Sequence, residues 1–369
     1  MSLERKEQRQ RSFEDVLAGC VGSKGHGAGL ISPRSVVRSH FPLPIELMQN
    51  KKKFLSLELL RFMAAFLVLS HHYVGYQHGF IGVNIFFMIS GFVIMYSTAK
   101  NTEYFFIRRL IRIVPIYWIL TILFAIILIL FPKFISKSYF DFIFLIKSLL
   151  FIPFENIGIG PGIGHSPYIF LGWTLNYEIF FYFFFQIVIL FTHKYRGVVL
   201  VMLFMFIHFL LNKLNLESFI LKTYAHPIIF QFCYGILVYY LWEFYNDKNK
   251  KKFIYFYFSI IFLVFIIYEL KHTLDLKNDL RLYYSIMSFI IILFFIFILE
   301  KKSKSYYFLI FGAVSYPIYL IHPYIKIVLD KALPLSNYLS FSVYFILLLV
   351  INFISAWIIY NFYEKKVIT

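Results

Sequence analysis

Long apolar segments separated by short polar loops occupy the chain from Phe54 onward. A transmembrane helix needs about 20 apolar residues in a row, and ten segments are of roughly that size. They cover residues 54–74, 79–98, 110–131, 168–191, 197–212, 225–244, 253–270, 282–299, 306–329 and 339–361. Of the 369 residues, 60% are hydrophobic and only 15% are charged, which leaves too little polar surface for a water-soluble globule. The pattern predicts an all-α, polytopic membrane protein with about ten transmembrane helices.

The positions of the loop cations predict how these helices are oriented. An eleventh apolar stretch, 139–153, is short and carries Asp141 and Lys147. If this stretch spanned the membrane, the cluster Lys248 and Lys250–Lys252 would lie opposite most of the other loop cations. Since cytoplasmic loops are enriched in Lys and Arg, we predict ten spans, cytoplasmic termini and a long extracytoplasmic loop at 132–167. Because the net charge of +17 comes mainly from these loops, it does not indicate nucleic-acid binding.

Residues 1–50 differ from the rest of the chain. They contain five Arg and neither Tyr nor Trp, and they lack the apolar core of a secretory signal peptide. We predict a disordered cytoplasmic extension at 1–50, followed by a membrane domain at 51–369. Met48 offers an alternative start, since Lys51–Lys53 and the first apolar segment follow it. Cys20 and Cys233 form no metal-ligand motif, and no metal is expected.

Ionisable side chains inside the apolar segments point to a functional site, since each costs about 2.5–3.5 kcal/mol at a helix centre on insertion scales. Arg61 and His72 lie eleven residues apart in the first segment, so they share one helix face about 16 Å apart. His71 lies beside His72. Glu178, near the middle of the fourth segment, would be neutral or would need an Arg or His opposite it, and Arg61 and His72 are the candidates. The structural alternative is a snorkelling arginine and an interfacial histidine.

Small and polar residues in other segments extend this candidate site. Residues 82–92 include the small residues Gly82, Ser90 and Gly91, which favour close helix packing, and Asn84 could face the same cavity as His72. Trp173, Asn176 and Tyr177 precede Glu178. His322 lies between two prolines in the ninth segment, a pattern that suits either a cavity or a structural kink.

Three arginines begin the third segment. Arg108, Arg109 and Arg112 are three or four residues apart in two pairs, so a helix places their guanidinium groups on adjacent faces. Guanidinium matches phosphate oxygens in a bidentate manner, which predicts a cytoplasmic anion site. The alternative is that they only set the orientation of the helix.

Taken together, these motifs resemble the acyltransferase 3 family over residues 54–366. The resemblance is carried, in chain order, by Arg61-(ten residues)-His72, the stretch 82–92, Arg108-Arg109…Arg112…Pro115, the stretch 173–178, the stretch 315–323 and the closing Tyr363-Glu364-Lys365. The stretch 173–178 and its following aromatics are most similar to the branch that acetylates exopolysaccharides and O-antigens. One departure is Asn84, which stands where many relatives carry an acidic residue.

The resemblance implies a bacterial inner-membrane O-acyltransferase that moves an acetyl group from acetyl-CoA to a hydroxyl of a lipid-linked or growing polysaccharide. It implies that Arg61 and His72 are essential and that Arg108, Arg109 and Arg112 contact the donor. His72 would act as general base or as covalent acyl carrier. Arg61 would stabilise an oxyanion or orient Glu178. Because relatives with a fused extracytoplasmic esterase domain differ from this chain, transfer is expected to finish in the membrane domain or on a separate protein.

A different class of function remains open from the sequence. Ten spans suit a carrier or flippase, in which Arg61, Glu178 and His322 would form a proton relay. An inverted internal repeat would favour that interpretation, but the arginine cluster and the 173–178 motif each occur once.

Overall fold

The described part of the computed structural model covers residues 54–132, 140–155, 167–214, 217–246, 281–302, 307–332 and 340–364. The chain divides into two units, Met1–Leu47 and Met48–Thr369, and every described residue belongs to the second. All regular secondary structure in these ranges is helical, which confirms the all-α prediction. The predicted extension at 1–50 and the predicted span at 253–270 lie outside the described residues.

Eleven α-helices are considered below, numbered in chain order. They are α1 Leu55–Val74, α2 Ile81–Ser97, α3 Phe105–Leu130, α4 Phe142–Leu149, α5 Gly172–Phe191, α6 Arg196–Leu214, α7 Phe219–Tyr224, α8 Phe230–Asn246, α9 Arg281–Phe294, α10 Tyr307–Ala332 and α11 Phe341–Ile359. Short 3₁₀ turns precede α2 and α8, at Gln77–Phe80 and Pro227–Ile229. π-helical turns follow α9 and α11, at Phe295–Leu299 and Tyr360–Glu364.

Nine of the helices in the described ranges are long and apolar enough to cross a membrane, with the adjoining turns included. They coincide with nine of the ten predicted segments. The stretch 139–153 forms only the eight residues of α4, which are too few to span a bilayer. Asp141 caps this short helix by accepting a hydrogen bond from the amide of Phe144 at 2.9 Å. The prediction that 139–153 does not span is therefore confirmed.

The outer surface of the bundle is apolar, as contact with lipid requires. On α3, Ile119, Ile122, Ile126 and Ile129 recur at helical spacing, and each exposes 44–55% of its surface. Charged side chains occur at the helix ends and in the interior of the bundle.

Two helix pairs form the centre of the bundle: α2 with α8, and α1 with α10. In the first pair the backbones touch, because a side chain at Gly91 would collide with the carbonyl of Phe232 and one at Gly235 with the carbonyl of Met88. Gly82, nine residues before Gly91 on α2, meets the backbone of Ala64 on α1 in the same way. Small residues thus permit close packing, the role expected for them in membrane helices.

The second pair positions the candidate site. Gly312 of α10 lies against Glu58 of α1, and ten residues further along α10 His322 lies against His72. The two helices therefore run in the same direction. α10 continues as a helix through Pro317 and Pro323, and its stretch 315–322 lies beside the functional residues of α1.

Candidate active site

One cavity between the described helices, called the arginine cavity, lies between α1, α2, α3, α5 and α10 and has a volume of about 80 Å³. Its polar lining includes Arg61, Ser90, Arg109, Arg112, Glu178 and Tyr182. These residues come from four helices, so the cavity brings Arg109 and Arg112 of the arginine cluster together with Arg61 and Glu178.

Arg61 is held by a neighbour on its own helix. Its Nη1 lies 3.2 Å from Oε1 of Glu58, one turn earlier on α1. Glu58 has room for this position because Gly312 faces it, where any side chain would collide with the carboxylate. The sequence analysis expected Glu178 as the carboxylate for Arg61 or His72, whereas Glu58 lies within ion-pair distance of Arg61.

The three arginines of α3 do not act as one group. Arg109 packs against the rings of Phe105 and Tyr182, each 5.8 Å from its guanidinium carbon, and donates to Oγ of Ser97 at 3.3 Å. Arg109 and Arg112, three residues apart, line the arginine cavity, and half-buried Arg108 does not. The cavity therefore collects Arg61, Arg109 and Arg112.

Glu178 is bound by two hydroxyl groups. It accepts a hydrogen bond from Oγ of Ser90 at 2.8 Å and another from the hydroxyl of Tyr182, four residues later on α5. Even with Glu58 and Glu178 both ionised, the three guanidinium groups leave a net positive charge at this site. In a medium of low polarity such a charge favours an anionic ligand.

The second cavity, the histidine cavity, has a volume of about 70 Å³ and is lined mainly by histidine, aromatic and aliphatic side chains. His71 and His72 of α1 line it together with Phe80, Phe170 and Trp173. The rings of Phe80 and Trp173 are stacked with their centroids 6.3 Å apart. The predicted site residues His71, His72 and Trp173 thus meet in one cavity.

The hydrogen bonds of His322 assign the tautomer of His72. Nδ1 of His322 lies 3.1 Å from the carbonyl oxygen of Ile318, which can only accept, so this nitrogen carries the proton. Nε2 of His322 then holds a lone pair and accepts from Nδ1 of His72 at 3.1 Å. The same Nδ1 proton also faces the carbonyl oxygen of Val68 at 2.9 Å. A neutral His72 therefore carries its free lone pair on Nε2.

The backbone carbonyl of His322 is held by a hydrogen-bond network with two further residues. Its carbonyl oxygen accepts a hydrogen bond from the hydroxyl of Tyr73 at 2.7 Å, and the side-chain amide of Asn352 on α11 donates to the same hydroxyl. His322, Tyr73 and Asn352 are all buried. This network joins α1, α10 and α11 and gives the histidine pair a defined geometry.

The two cavities meet at one side chain. Val83 of α2 lines both of them. On α1 the arginine cavity is reached by Arg61 and the histidine cavity by His72, eleven residues later. This rise corresponds to about 16 Å along the axis. Arg61 and Nε2 of His72 are therefore too far apart to contact the same reacting carbon.

Several predicted site residues lie away from both cavities in the described part of the structure. Asn84 and Asn176 are buried elsewhere in the bundle, and Tyr177 donates its hydroxyl to the carbonyl of Thr223 at 2.8 Å. The hydrogen bonds of Arg61, Glu178 and His322 among the described residues go to other partners and do not join the three to one another. Direct hydrogen bonds between the described residues therefore do not link Arg61, Glu178 and His322 into one chain.

Sequence reasoning missed several residues of the site. Glu58 and Tyr182 carried a usable signal, because they lie three and four residues from Arg61 and Glu178, the spacing of helix neighbours. Ser315 and Tyr319 of α10 also line the arginine cavity. Val83 carried no signal, since a valine in an apolar helix is unremarkable until its neighbours are known.

A bundle of membrane-spanning helices around an arginine-lined cavity and a histidine-lined cavity defines the class of protein. A family model described as an acyltransferase domain, that of acyltransferase 3, matches residues 54–361. The chain therefore belongs to the acyltransferase 3 family, as the resemblance indicated.

Among curated proteins, the chain is similar to the exopolysaccharide production protein ExoZ of Rhizobium meliloti (strain 1021). The two are 28% identical over 178 residues, which are 47% of this chain and 53% of that protein. The match thus spans about half the length of the relative. No solved structure matches the chain.

Proposed function

We propose that this protein transfers an acetyl group from acetyl-CoA to a hydroxyl of a cell-surface carbohydrate such as exopolysaccharide or O-antigen. One observation carries the proposal. Two cavities meet at Val83, and one holds three arginines while the other holds a histidine with a free ring nitrogen. An anion site and a base, joined along one helix, are what a charged thioester donor and a neutral alcohol require.

The donor end of the reaction belongs to the arginine cavity. Arg61, Arg109 and Arg112 would bind the phosphates of acetyl-CoA, because guanidinium offers paired donors to phosphate oxygens. Arg108, half-buried outside the cavity, would contact the donor only at its entrance. The extended pantetheine arm would then run past Val83 toward His72.

The chemistry belongs to the histidine cavity. Nε2 of His72 accepts the proton of the carbohydrate hydroxyl as its oxygen attacks the thioester carbonyl. The carbon–oxygen bond forms, the carbon–sulfur bond breaks, and the proton passes to the departing thiolate of CoA. Arg61 lies about three helical turns away, so we assign it to the donor phosphates and not to the oxyanion.

The acceptor would enter from the side of His71 and Trp173. The relative ExoZ is named for exopolysaccharide production, which favours a lipid-linked or growing polysaccharide as acceptor. With both termini in the cytoplasm of a bacterial inner membrane, as the loop cations predict, the arginines would face the cytoplasmic acetyl-CoA and His72 the extracytoplasmic side.

Replacing His72 by alanine tests the proposal. We expect acetyl transfer to fall at least about 100-fold, because the general base is removed. The O-acetyl content of the host polysaccharide, measured by NMR, should then match that of cells without the gene. His208→Ala is the matched control, since His208 lies on α6 and its Nδ1 is 2.6 Å from the carbonyl oxygen of Ala225, and it lines neither cavity. Full acetylation by His72→Ala, at normal membrane levels, would refute the assignment.

A further inference from the structure

Val83 lies between the two cavities, and the roles proposed above do not account for this position. Phe80, at the end of the turn before α2, lines the histidine cavity, and on α2 itself Phe86, Phe87 and Ser90 line the arginine cavity. Val83, one turn after Phe80, lines both.

The same change of cavity occurs on the neighbouring helices. At the start of α5, Trp173 lines the histidine cavity, and the next residue, Thr174, lines the arginine cavity. On α1, Val68 lines the histidine cavity and Arg61 lines the arginine cavity. The cavities thus lie one above the other, and Val83 is the side chain at the level where they meet.

At this level the side chain of Val83 lies between the two cavities. Val83 is buried, and a β-branched residue in a helix has one strongly preferred rotamer. The backbone beside it is also fixed, because Gly82 rests against the carbonyl of Ala64. Val83 therefore cannot be moved from between the cavities by a rotamer change or by an easy shift of α2.

The walls on either side are rigid as well. Phe80 and Trp173 stack on the histidine side, and Phe86 and Tyr319 meet edge to face on the arginine side, with centroids 5.3 Å apart. Aromatic rings in a packed interior have few alternative positions, so a bulky group gains little space from them.

We infer that Val83 limits the cross-section of the acyl group that the enzyme delivers to His72. The inference rests on the proposed function. The unbranched thiol end of the donor arm passes the valine, and so does a narrow acyl group such as acetyl. An acyl group that branches at the carbon next to the carbonyl is excluded.

The experiment compares three donors of increasing width at that carbon: acetyl-, propionyl- and isobutyryl-CoA. Full-length protein in membranes is assayed for release of free CoA thiol, with the strain's own chemically deacetylated polysaccharide as acceptor. For Val83→Ala we expect transfer of isobutyryl relative to propionyl to rise at least about tenfold, since hydrophobic pockets discriminate one methyl group by such factors. For Val83→Ile we expect propionyl transfer relative to acetyl to fall by roughly the same factor.

Val93→Ala is the matched control, because Val93 lies on the same helix and lines neither cavity. Its donor preference should equal that of the unaltered protein. If both Val83 variants transfer acetyl and keep the donor ratios of the unaltered protein, isobutyryl to propionyl and propionyl to acetyl, the inference is overturned while the proposed function stands. If the unaltered protein transfers no acyl group from any of the three donors, the proposed function fails and the inference falls with it.

Discussion

Replacing His322 by leucine would separate an orienting role from a reacting one in the His72–His322 pair. The substitution removes the acceptor that faces Nδ1 of His72 at 3.1 Å and leaves the carbonyl oxygen of Val68 at 2.9 Å from the same nitrogen. His72 therefore keeps one of the two partners that hold its proton on Nδ1.

The size of the effect follows from these two contacts. A net hydrogen bond in a folded protein is worth about 0.5–1.5 kcal/mol, and an unsatisfied buried group costs about 1–3 kcal/mol. Since Val68 still satisfies the donor, the loss should stay near 1–2 kcal/mol, which is a five- to thirty-fold decrease in kcat. His72→Ala, which removes the base, should lose far more.

The assay is steady-state acetyl transfer at varied acetyl-CoA concentration. We expect kcat to fall and KM for acetyl-CoA to stay unchanged, because His322 lines neither cavity and lies away from the arginines. His322→Gln, whose side-chain oxygen could accept the same proton, should recover part of the loss. If His322→Leu were as inactive as His72→Ala, or fully active, the orienting role would be refuted.

Two further variants probe the donor site and the helix packing. Arg109→Gln should raise KM for acetyl-CoA about 10- to 100-fold, because a charged hydrogen bond is worth about 1.5–3 kcal/mol; Arg108→Gln should have a smaller effect, and the reverse order in donor titrations would count against the arginine cavity. Gly235→Ala should lower the thermal stability of the detergent-solubilised protein by an amount typical of overpacking, about 1–3 kcal/mol, because the new methyl group collides with the Met88 carbonyl. Val93→Ala on the facing helix should lose less in the same melting assay.

The sequence predicted the membrane helices well, because apolar length and loop charge are local properties. It identified α4 as too short and polar to span, and it placed nine described spans close to their observed bounds. It also identified the ionisable residues of the interior, because burying Arg61 or Glu178 in a bilayer demands an explanation.

What the sequence could not supply is which of these residues meet. His72 and His322 are 250 residues apart, and their contact depends on α1 and α10 running side by side in the same direction. The three arginines of α3 look equivalent in the sequence, but helix rotation brings only Arg109 and Arg112 into the cavity. Tyr177 and Asn176 lie within the same motif as Glu178 and yet face other parts of the bundle.

Arg61 and His72 belong to a single uninterrupted helix, α1. In the proposed reaction this helix acts as a molecular ruler. The distance between Arg61 at the donor phosphates and His72 at the reacting carbonyl is fixed, because the two residues are eleven positions apart on one helix without a hinge. A donor must therefore be long enough to extend from the phosphate site to His72. Small activated acetyl compounds without a long arm, however reactive, could not contact the phosphate site and His72 at the same time.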